Sequence, residues 1–434
     1  MTSYADYLAG KSRANKPSGF KPVAVSEVLF PFQRELVTRS LVLGRSAIFA
    51  DCGLGKTLMQ LEWSRHVCKK TAGRIIILAP LAVAEQTCRE AIKLGMQIFH
   101  ATSMDDVMQT GIYITNYEKL HLFNASAFSG VVLDESSILK NYTGATRNAI
   151  IEAFAHTPYK LACTATPSPN DFMELGNHAE FLNVMSRTEM LSMFFVHEGG
   201  ETQKWRLKRH ATKDFWAWVG SWSIMLRKPA DIGFKQDGYD LPALTIKQVC
   251  VDARNTGDML FAMPACSLQE RLQARKITIT ERIQAVADIA NASDEQFLIW
   301  CNLNAESDGV TKLVKGAVEV TGSDSDERKT TRVMDFIDKK ARVVVSKVSI
   351  MGYGMNFQNC RNVIFLGLSD SFEDYYQAVR RCWRFGQERE VNVWIVTSNI
   401  EGAVVENIKR KQADAEHMAS EMASQLIKNQ KGNK

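Results

Sequence analysis

The sequence is poor in features that would take it out of an ordinary aqueous compartment. It holds no apolar run near ~20 residues, the length a helix needs to cross a bilayer, so no membrane span is expected. The opening MTSYADYLAGKSRANKPSGFKP is polar and basic with no apolar centre, and is not expected to act as a signal peptide. The nine cysteines, an odd number, include no Cys-x-x-Cys and no paired-histidine spacing. That argues against a disulfide framework and structural zinc, and for reduced thiols in a cytosolic setting. Internal repeats are lacking, and the KNQKGNK tail is the one biased segment.

What is present is a soluble globular composition, 45% apolar and 23% charged over 434 residues, long for one core and comfortable for two or three domains. The net charge of +5 is compatible with nucleic acid without requiring it. The stretch IFADCGLGKT (48–57), followed by LMQLEWSRHV, reads as strand, tight loop and helix. Gly53 and Gly55 let backbone amides close around phosphates at a helix N-terminus, with the first turn running through Leu58. Lys56 would neutralise the terminal phosphates, and the Thr57 hydroxyl would ligate Mg²⁺. A full phosphate-loop pattern would place a glycine where Ala50 or Asp51 stands, so the local match is incomplete. Downstream, GVVLDESSILKN (130–141) is a buried-type strand ending in Asp134-Glu135, where one carboxylate can hold a metal and the other polarise a water. With IIILAP (75–80), YITNYEKL (113–120) and YKLACTATPSPND (159–171) it predicts a parallel α/β layer whose chemistry sits at the C-terminal strand ends.

Far along the chain, QAVRRCWRFGQ (377–387) packs three arginines beside Trp383 and Phe385. On a helix Arg381 and Arg384 would share a face and could reach one anion. Taken alone, the stretch reads more simply as a solvated basic face with an arginine stacked on Trp383. Between 172 and 296 lies a segment too long for a simple connection, with Trp205, Trp216, Trp218, Trp222 and the basic run KWRLKRH (204–210). Most of these tryptophans are expected in a core, and Lys204, Arg206, Lys208 and Arg209 are candidates for phosphate contact.

Taken in order, these motifs resemble superfamily-2 helicases, most closely the Swi/Snf-type translocase ATPases. LFPFQRELV (29–37) is similar to the family's adenine-sensing motif, which implies Gln33 at the base. GLGKT, LAPLAVAEQTCRE (78–90), ITNYEKL, VVLDESSILKN and TATPSPND with FMELGNHAEFL (172–182) follow the motifs of the first motor domain. FLIWCNLNAESDGVTKL (297–313), VTGSDSDER (320–328), RVVVSKVSIMGYGMNFQNCRNVIFLG (342–367), QAVRRCWRFGQ and VTSNIEGAVVENIKRK (396–411) follow those of the second. The chain departs from the pattern at Ser136-Ser137, where the family usually shows Ala or Gly followed by His.

The resemblance implies an α/β protein of two RecA-like parallel-sheet domains with a helical insertion between them. The expected segments are a flexible basic stretch at 1–24, the ATP-binding domain at 25–175 and the insertion and linker at 176–240. A second domain at 241–420, with a short helical insertion near 256–277, and a polar tail at 421–434 would complete the chain. It implies a DNA-dependent ATPase using ATP and Mg²⁺, with Lys56, Asp134 and Glu135 catalytic and Thr57 and Asp134 on the metal. Arg381 and Arg384 would reach the γ-phosphate as fingers, Gln377 and Gln387 would orient them or the attacking water, and Arg380 would face solvent or DNA. Pro80, Thr115, Asn116, Thr321, Gly322, Ser346 and Gly352 match positions where the family grips the nucleic-acid backbone without reading sequence.

The expected activity is translocation on double-stranded or branched DNA by a monomer, with a separate nuclease or replication protein as candidate partner. Strand separation or branch remodelling by the same fold, and an ATP-gated scaffold without turnover, are the alternatives. Compact motors of this kind resemble those of bacteriophages and prophages, which would place the protein in a bacterial host cytoplasm.

Overall fold

The structure, a computed structural model, describes residues 17–80, 83–198, 201–235, 237–252, 275–351, 356–398 and 402–432. The chain divides into two compact units, Met1–Gln236 with Ala415–Lys434, and Asp237–Asp414.

In the first unit helix α1 (Pro31–Leu43) leads into β1 (Arg45–Ala50), α2 (Lys56–Thr71), β2 (Arg74–Ala79), α3 (Ala84–Lys93), β3 (Phe99–His100) and β4 (Gly111–Asn116). Then come β5 (Gly130–Asp134), α4 (Ala145–Ala153), β6 (Tyr159–Thr164), α5 (Leu175–Phe181) and α6 (Arg187–Phe194). A hairpin of β7 (Phe195–Glu198) and β8 (Glu201–Leu207) precedes α7 (Thr212–Trp222) and β9 (Ser223–Leu226). Strands β1 to β6 with β9 form one seven-stranded sheet in the order β3-β4-β2-β5-β6-β1-β9, parallel throughout. Its central strands are buried along nearly their whole length, as a sheet with both faces covered requires. The parallel order brings the C-terminal ends of β1, β5 and β6 to the same edge, so the Gly-rich loop and the Asp134-Glu135 turn share one rim.

The segment expected as a helical insertion differs in kind. It holds the β7–β8 hairpin, and its last strand, β9, pairs with β1 from Ala47↔Ser223 to Ala50↔Leu226. Trp216, Trp218 and Trp222 belong to the first unit's core, with Trp222 edge-on to Phe49 at 6.1 Å. Much of 176–226 therefore completes the ATP-binding unit instead of standing off it. Trp205 is half-buried and packs on His197, with ring centroids 3.7 Å apart.

The second unit contains β10 (Leu244–Val251), α8 (Ile279–Asn291), β11 (Phe297–Cys301), α9 (Asn304–Leu313), β12 (Ala317–Val320), α10 (Asp326–Ile337) and β13 (Val343–Lys347). It continues with α11 (Val348–Met351), β14 (Asn362–Leu366), α12 (Phe372–Val379), β15 (Val391–Ser398) and the start of α13 (Gly402–Gly432). Its six strands are again parallel, in the order β10-β15-β14-β11-β13-β12. A buried ion pair, Arg282 to Glu306 at 3.0 Å, ties α8 to the start of α9, where Glu306 also accepts from the amides of Asn302 and Leu303. The expected helical insertion near 256–277 falls largely outside the described residues. Where a polar tail was expected, α13 continues to Gly432, and its Met418, Ala419 and Met422 are buried in the first unit's core.

One charge in the first unit is buried without a carboxylate partner. The Lys160 side chain, near the N-terminal end of β6, donates to the Phe181 carbonyl at 2.8 Å and to Asn183 Oδ1 at 3.2 Å. Burial, and secondarily the charge of Arg45, lowers its pKa to about 7. Between pH 7 and the ordinary lysine value the unfolded chain holds a proton that the folded chain has released, so stability rises with pH across that window. Lys160→Met is expected to flatten this rise. Denaturation midpoints at pH 7 and pH 9.5 check it, with a smaller increase in the variant than in the native chain.

Candidate nucleotide site and basic hairpin

The loop joining β1 to α2 turns on two glycines in the left-handed region, Gly53 at φ 86° and Gly55 at φ 77°. Gly55 is the N-cap of α2, so the amides that open this helix have no acceptor one turn back and face out of its N-terminus. Lys56 Nζ donates to the Ala50 carbonyl at 2.9 Å and the Asp51 carbonyl at 3.4 Å, which folds the side chain over the loop. Gln33 braces the loop from α1: its Nε2 donates to the Leu54 carbonyl at 2.9 Å, and its Oε1 accepts from the Phe30 amide at 2.9 Å. A Cβ on Gly55 would stand 2.3 Å from Gln33 Nε2. The loop thus fits a phosphate chain in shape, in amide supply and in charge. Thr57 and Leu58 are half-buried on the first turn.

Opposite the loop, Asp134 is buried at the end of β5 and accepts from Gln60 Nε2 at 2.7 Å. Gln60 lies one turn beyond Lys56 on α2, so one helix carries the phosphate lysine and fixes the carboxylate. Burial raises the pKa of Asp134, against the Gln60 hydrogen bond and the positive charge of Lys56. Glu135 adopts φ 52°, ψ 56°, a left-handed backbone that costs an L-residue about 1–2 kcal/mol. Several contacts hold it. Tyr117 Oη donates to the Asp134 carbonyl at 2.6 Å, Thr164 Oγ1 donates to Glu135 Oε2 at 3.3 Å, and Ser136 Oγ lies 3.0 Å from His178 Nε2. Burial lowers the His178 pKa to about 4, with backbone groups of Glu174 and Ser136 pulling the other way, so this imidazole is neutral at pH 7. Sequence reasoning missed Gln60, Tyr117 and His178; the latter two lie inside quoted motifs, ITNYEKL and FMELGNHAEFL, but were not singled out there.

Among the described residues no cluster of three or more His, Cys, Asp or Glu side chains could cage a metal. Thr57 and Asp134 together suit an ion that takes most of its shell from phosphate and water, as Mg²⁺ does.

The second unit departs from the expected arginine-bearing helix. Helix α12 ends at Val379, and 380–386 is a series of turns closing on Gly386 at φ 87°. The turn is pinned from a neighbouring segment, with the Phe357 amide donating to the Arg381 carbonyl at 2.8 Å and Gln358 Nε2 to the Phe385 carbonyl at 2.6 Å. Arg381 is buried, its Nη2 on Gln377 Oε1 at 2.8 Å and its Nε on the Gln377 carbonyl at 3.2 Å. Arg384 is half-buried and bonds Asn356 Oδ1. Gln387 donates to the carbonyls of Gln358, Cys360 and Cys382, which makes it a brace for the turn. Arg380, expected to face solvent or DNA, is 3% exposed, its guanidinium 4.9 Å from the Trp383 ring. The aromatic rings that made it look like a surface charge are what cover it.

The expected nucleic-acid contacts are dispersed over both units. Pro80 is half-buried after β2, Thr321 is held by Asp324, and Gly322 is exposed. Two of these residues turn their side chains inward. Thr115 is fully buried in β4, and Ser346 is buried with its hydroxyl on the Val320 carbonyl at 2.7 Å. Both strands are covered on both faces, so hydroxyls there turn into the interior. Asn116 is also buried and caps the turn after β4 through the Lys119 amide. Gly352 lies outside the described residues, as does the side chain of Lys204. Arg206, Arg209 and His210, with Val196 and Lys208, line a concavity of about 540 Å³ on the hairpin. Lys208 Nζ is engaged by the carbonyls of Ser192 and Met193 at the end of α6, so it braces the hairpin base.

Two parallel-sheet units, one carrying a phosphate loop with its paired carboxylates and the other an arginine turn, define an ATPase of the helicase class. Comparison with protein-family models matches the SNF2-related domain over residues 33–198 and the helicase conserved C-terminal domain over 280–386. The chain belongs to the superfamily-2 helicases of the Swi/Snf type, and is a DNA-dependent ATPase motor. No curated protein matches it. Among solved structures it is similar to the Sulfolobus solfataricus SWI2/SNF2 ATPase core in complex with dsDNA, at 17% identity and a TM-score of 0.45, over 92% of this chain and 95% of that one. No helix among the described residues is long and apolar enough to cross a membrane.

The loop geometry yields a direct test. Gly55→Ala must place a side chain at positive φ against a Gln33 amide held at both ends, and is expected to weaken nucleotide affinity by at least tenfold. Titration with a fluorescent ATP analogue, in protein of native circular dichroism, checks it.

Proposed function

We propose that the protein uses ATP hydrolysis to move along double-stranded DNA, with strand separation not required. The observation that carries the reading is the Gln60–Asp134 hydrogen bond, which ties the carboxylate to the helix that begins at the phosphate loop. Bound ATP with Mg²⁺ would supply the phosphoryl group to be cleaved and the charge that bridges it. Lys56 would leave its carbonyl acceptors for the terminal phosphates, Thr57 and Asp134 would hold the metal, and Glu135 would take a proton from the attacking water. Gln33 would hold the loop closed while meeting the base.

Arg381 and Arg384 would act on the γ-phosphate held by the first unit, with Gln377 orienting Arg381. That action would make turnover depend on approach of the two units, the step that converts hydrolysis into movement. DNA would be held through its phosphates by Arg206 of the hairpin, Arg209 just after it, and the segments at Pro80, Asn116, Thr321 and Gly322. Such contacts give salt-sensitive binding with little sequence preference.

The test is phosphate release against a panel of single-stranded, duplex, forked and RNA ligands, with triplex displacement reporting movement. Duplex is expected to stimulate turnover most, and to support displacement of a third strand. Stimulation by RNA alone would overturn the reading. In the same assay Lys56→Ala is expected to abolish turnover while DNA affinity stays near native.

The arginines generate a separate expectation. Alanine at Arg381 or Arg384 should cut kcat by roughly 10³-fold with ATP affinity little changed, because finger charge acts mainly in the transition state. Lysine should rescue poorly, since a point charge cannot copy a planar fork. Small effects at both positions would leave Arg381 and Arg384 as braces of the turn, not fingers.

A further inference from the structure

We propose that His178 is a positioning residue for hydrolysis, acting through its hydrogen bond with Ser136 to hold the turn that aims the Glu135 carboxylate. The proposal rests on the reading of Asp134 and Glu135 as the hydrolytic pair.

Glu135 is one of the few non-glycine residues at positive φ among the described residues, and it stands where a carboxylate must be aimed within a fraction of an ångström. Strained backbone of this kind persists only where neighbours over-determine it. On the N-terminal side the Asp134 carbonyl is held by Tyr117, and the Glu135 carboxylate itself by Thr164. On the C-terminal side the Ile138 amide donates to the Glu135 carbonyl at 3.2 Å and the Ser137 hydroxyl reaches it at 3.5 Å, while the side-chain contact to another element is Ser136 Oγ to His178 Nε2, at 3.0 Å. Ser136 and His178 are both fully buried, so water does not compete for their bond.

The imidazole is fixed in turn. It stands edge-on to Phe49 at 5.2 Å, and Phe49 precedes Ala50, whose carbonyl holds Lys56. Helix α5 carries His178 and follows the TATPSPND segment that ends β6. One ring therefore joins the phosphate-loop strand, the carboxylate turn and the helix after β6. An imidazole that the related motif would carry within the turn, in place of Ser136-Ser137, is delivered here from a separate helix.

The experiment compares steady-state ATPase of the full chain with Ser136→Ala, His178→Ala, the double variant and Glu135→Gln. Each of the two single clamp variants is expected to lower kcat roughly tenfold, the scale of one lost hydrogen bond, with KM for ATP within about twofold of native. The double variant is expected to fall no further than the worse single, because both changes break the same bond. Active sites are counted by single-turnover burst, so that a merely structural loss appears as fewer sites with unchanged kcat per site.

Native kcat in Ser136→Ala, multiplicative losses in the double variant, or a loss confined to the number of sites would overturn the proposal. Ser136→Ala removes one oxygen and tests the bond even where His178→Ala folds poorly. Glu135→Gln separates the two levels. Native turnover in that variant sinks the hydrolytic pair, whereas abolished turnover there beside native Ser136→Ala sinks the clamp alone.

Discussion

The left-handed backbone at Glu135 is the constraint on which the first unit's site depends. A parallel strand ends at Asp134, and the chain must leave the sheet at once if the next carboxylate is to face the phosphate loop instead of continuing away from it. No glycine stands at that exit; in the proposed mechanism the residue there carries the acid. The strain is therefore distributed over contacts from three directions, Tyr117 from the turn after β4, Thr164 at the end of β6 and His178 from α5. The sheet order matters here, since β6 lies between β5 and β1 and brings Thr164 within reach of the turn.

The residues proposed to do the chemistry were legible in the sequence because that chemistry demands particular residue types at close spacing. Gly53, Gly55, Lys56 and Thr57 form one loop, and Asp134-Glu135 one strand end, so local pattern suffices. The residues that hold them were not legible. Gln60, Tyr117 and His178 act through single hydrogen bonds formed across the fold, and even where NYEKL and GNHAE fall in recognisable motifs, the linear pattern does not show those partners. The hairpin and β9 within the insertion were not legible for a related reason. Ser223–Leu226 is four residues long, too short for periodicity to distinguish strand from helix, and only its register beside β1 makes it a strand.

Depth was the other quantity the sequence withheld. Arg380 and Arg381 are adjacent, equally charged and both buried, yet one lies over an aromatic ring and the other on a glutamine. Thr115 and Ser346 sit at strand ends that look accessible in a linear pattern. In sheets covered on both faces, alternation carries no information about which side chain meets solvent. Net charge misleads in the same way at Lys208, whose ammonium is used to close the base of the hairpin.

The phosphate loop shows how such a site stays folded around charges with no counter-ion in contact. Lys56 is satisfied by the Ala50 and Asp51 carbonyls, and Asp134 by Gln60, so each charge rests on neutral partners. Neutral partners keep the buried groups hydrogen-bonded, as burial requires, without the strength of a direct ion pair. A lysine–aspartate pair at the same place would be harder to open, because exchanging it for phosphate and metal would break one charged contact to make another. Carbonyl and amide partners are released at the cost of ordinary hydrogen bonds, whereas the phosphate gained is a charged acceptor. In the proposed mechanism a phosphate would offer Lys56 a charged acceptor in place of two neutral carbonyls, and a metal ion would offer Asp134 a charge in place of one amide.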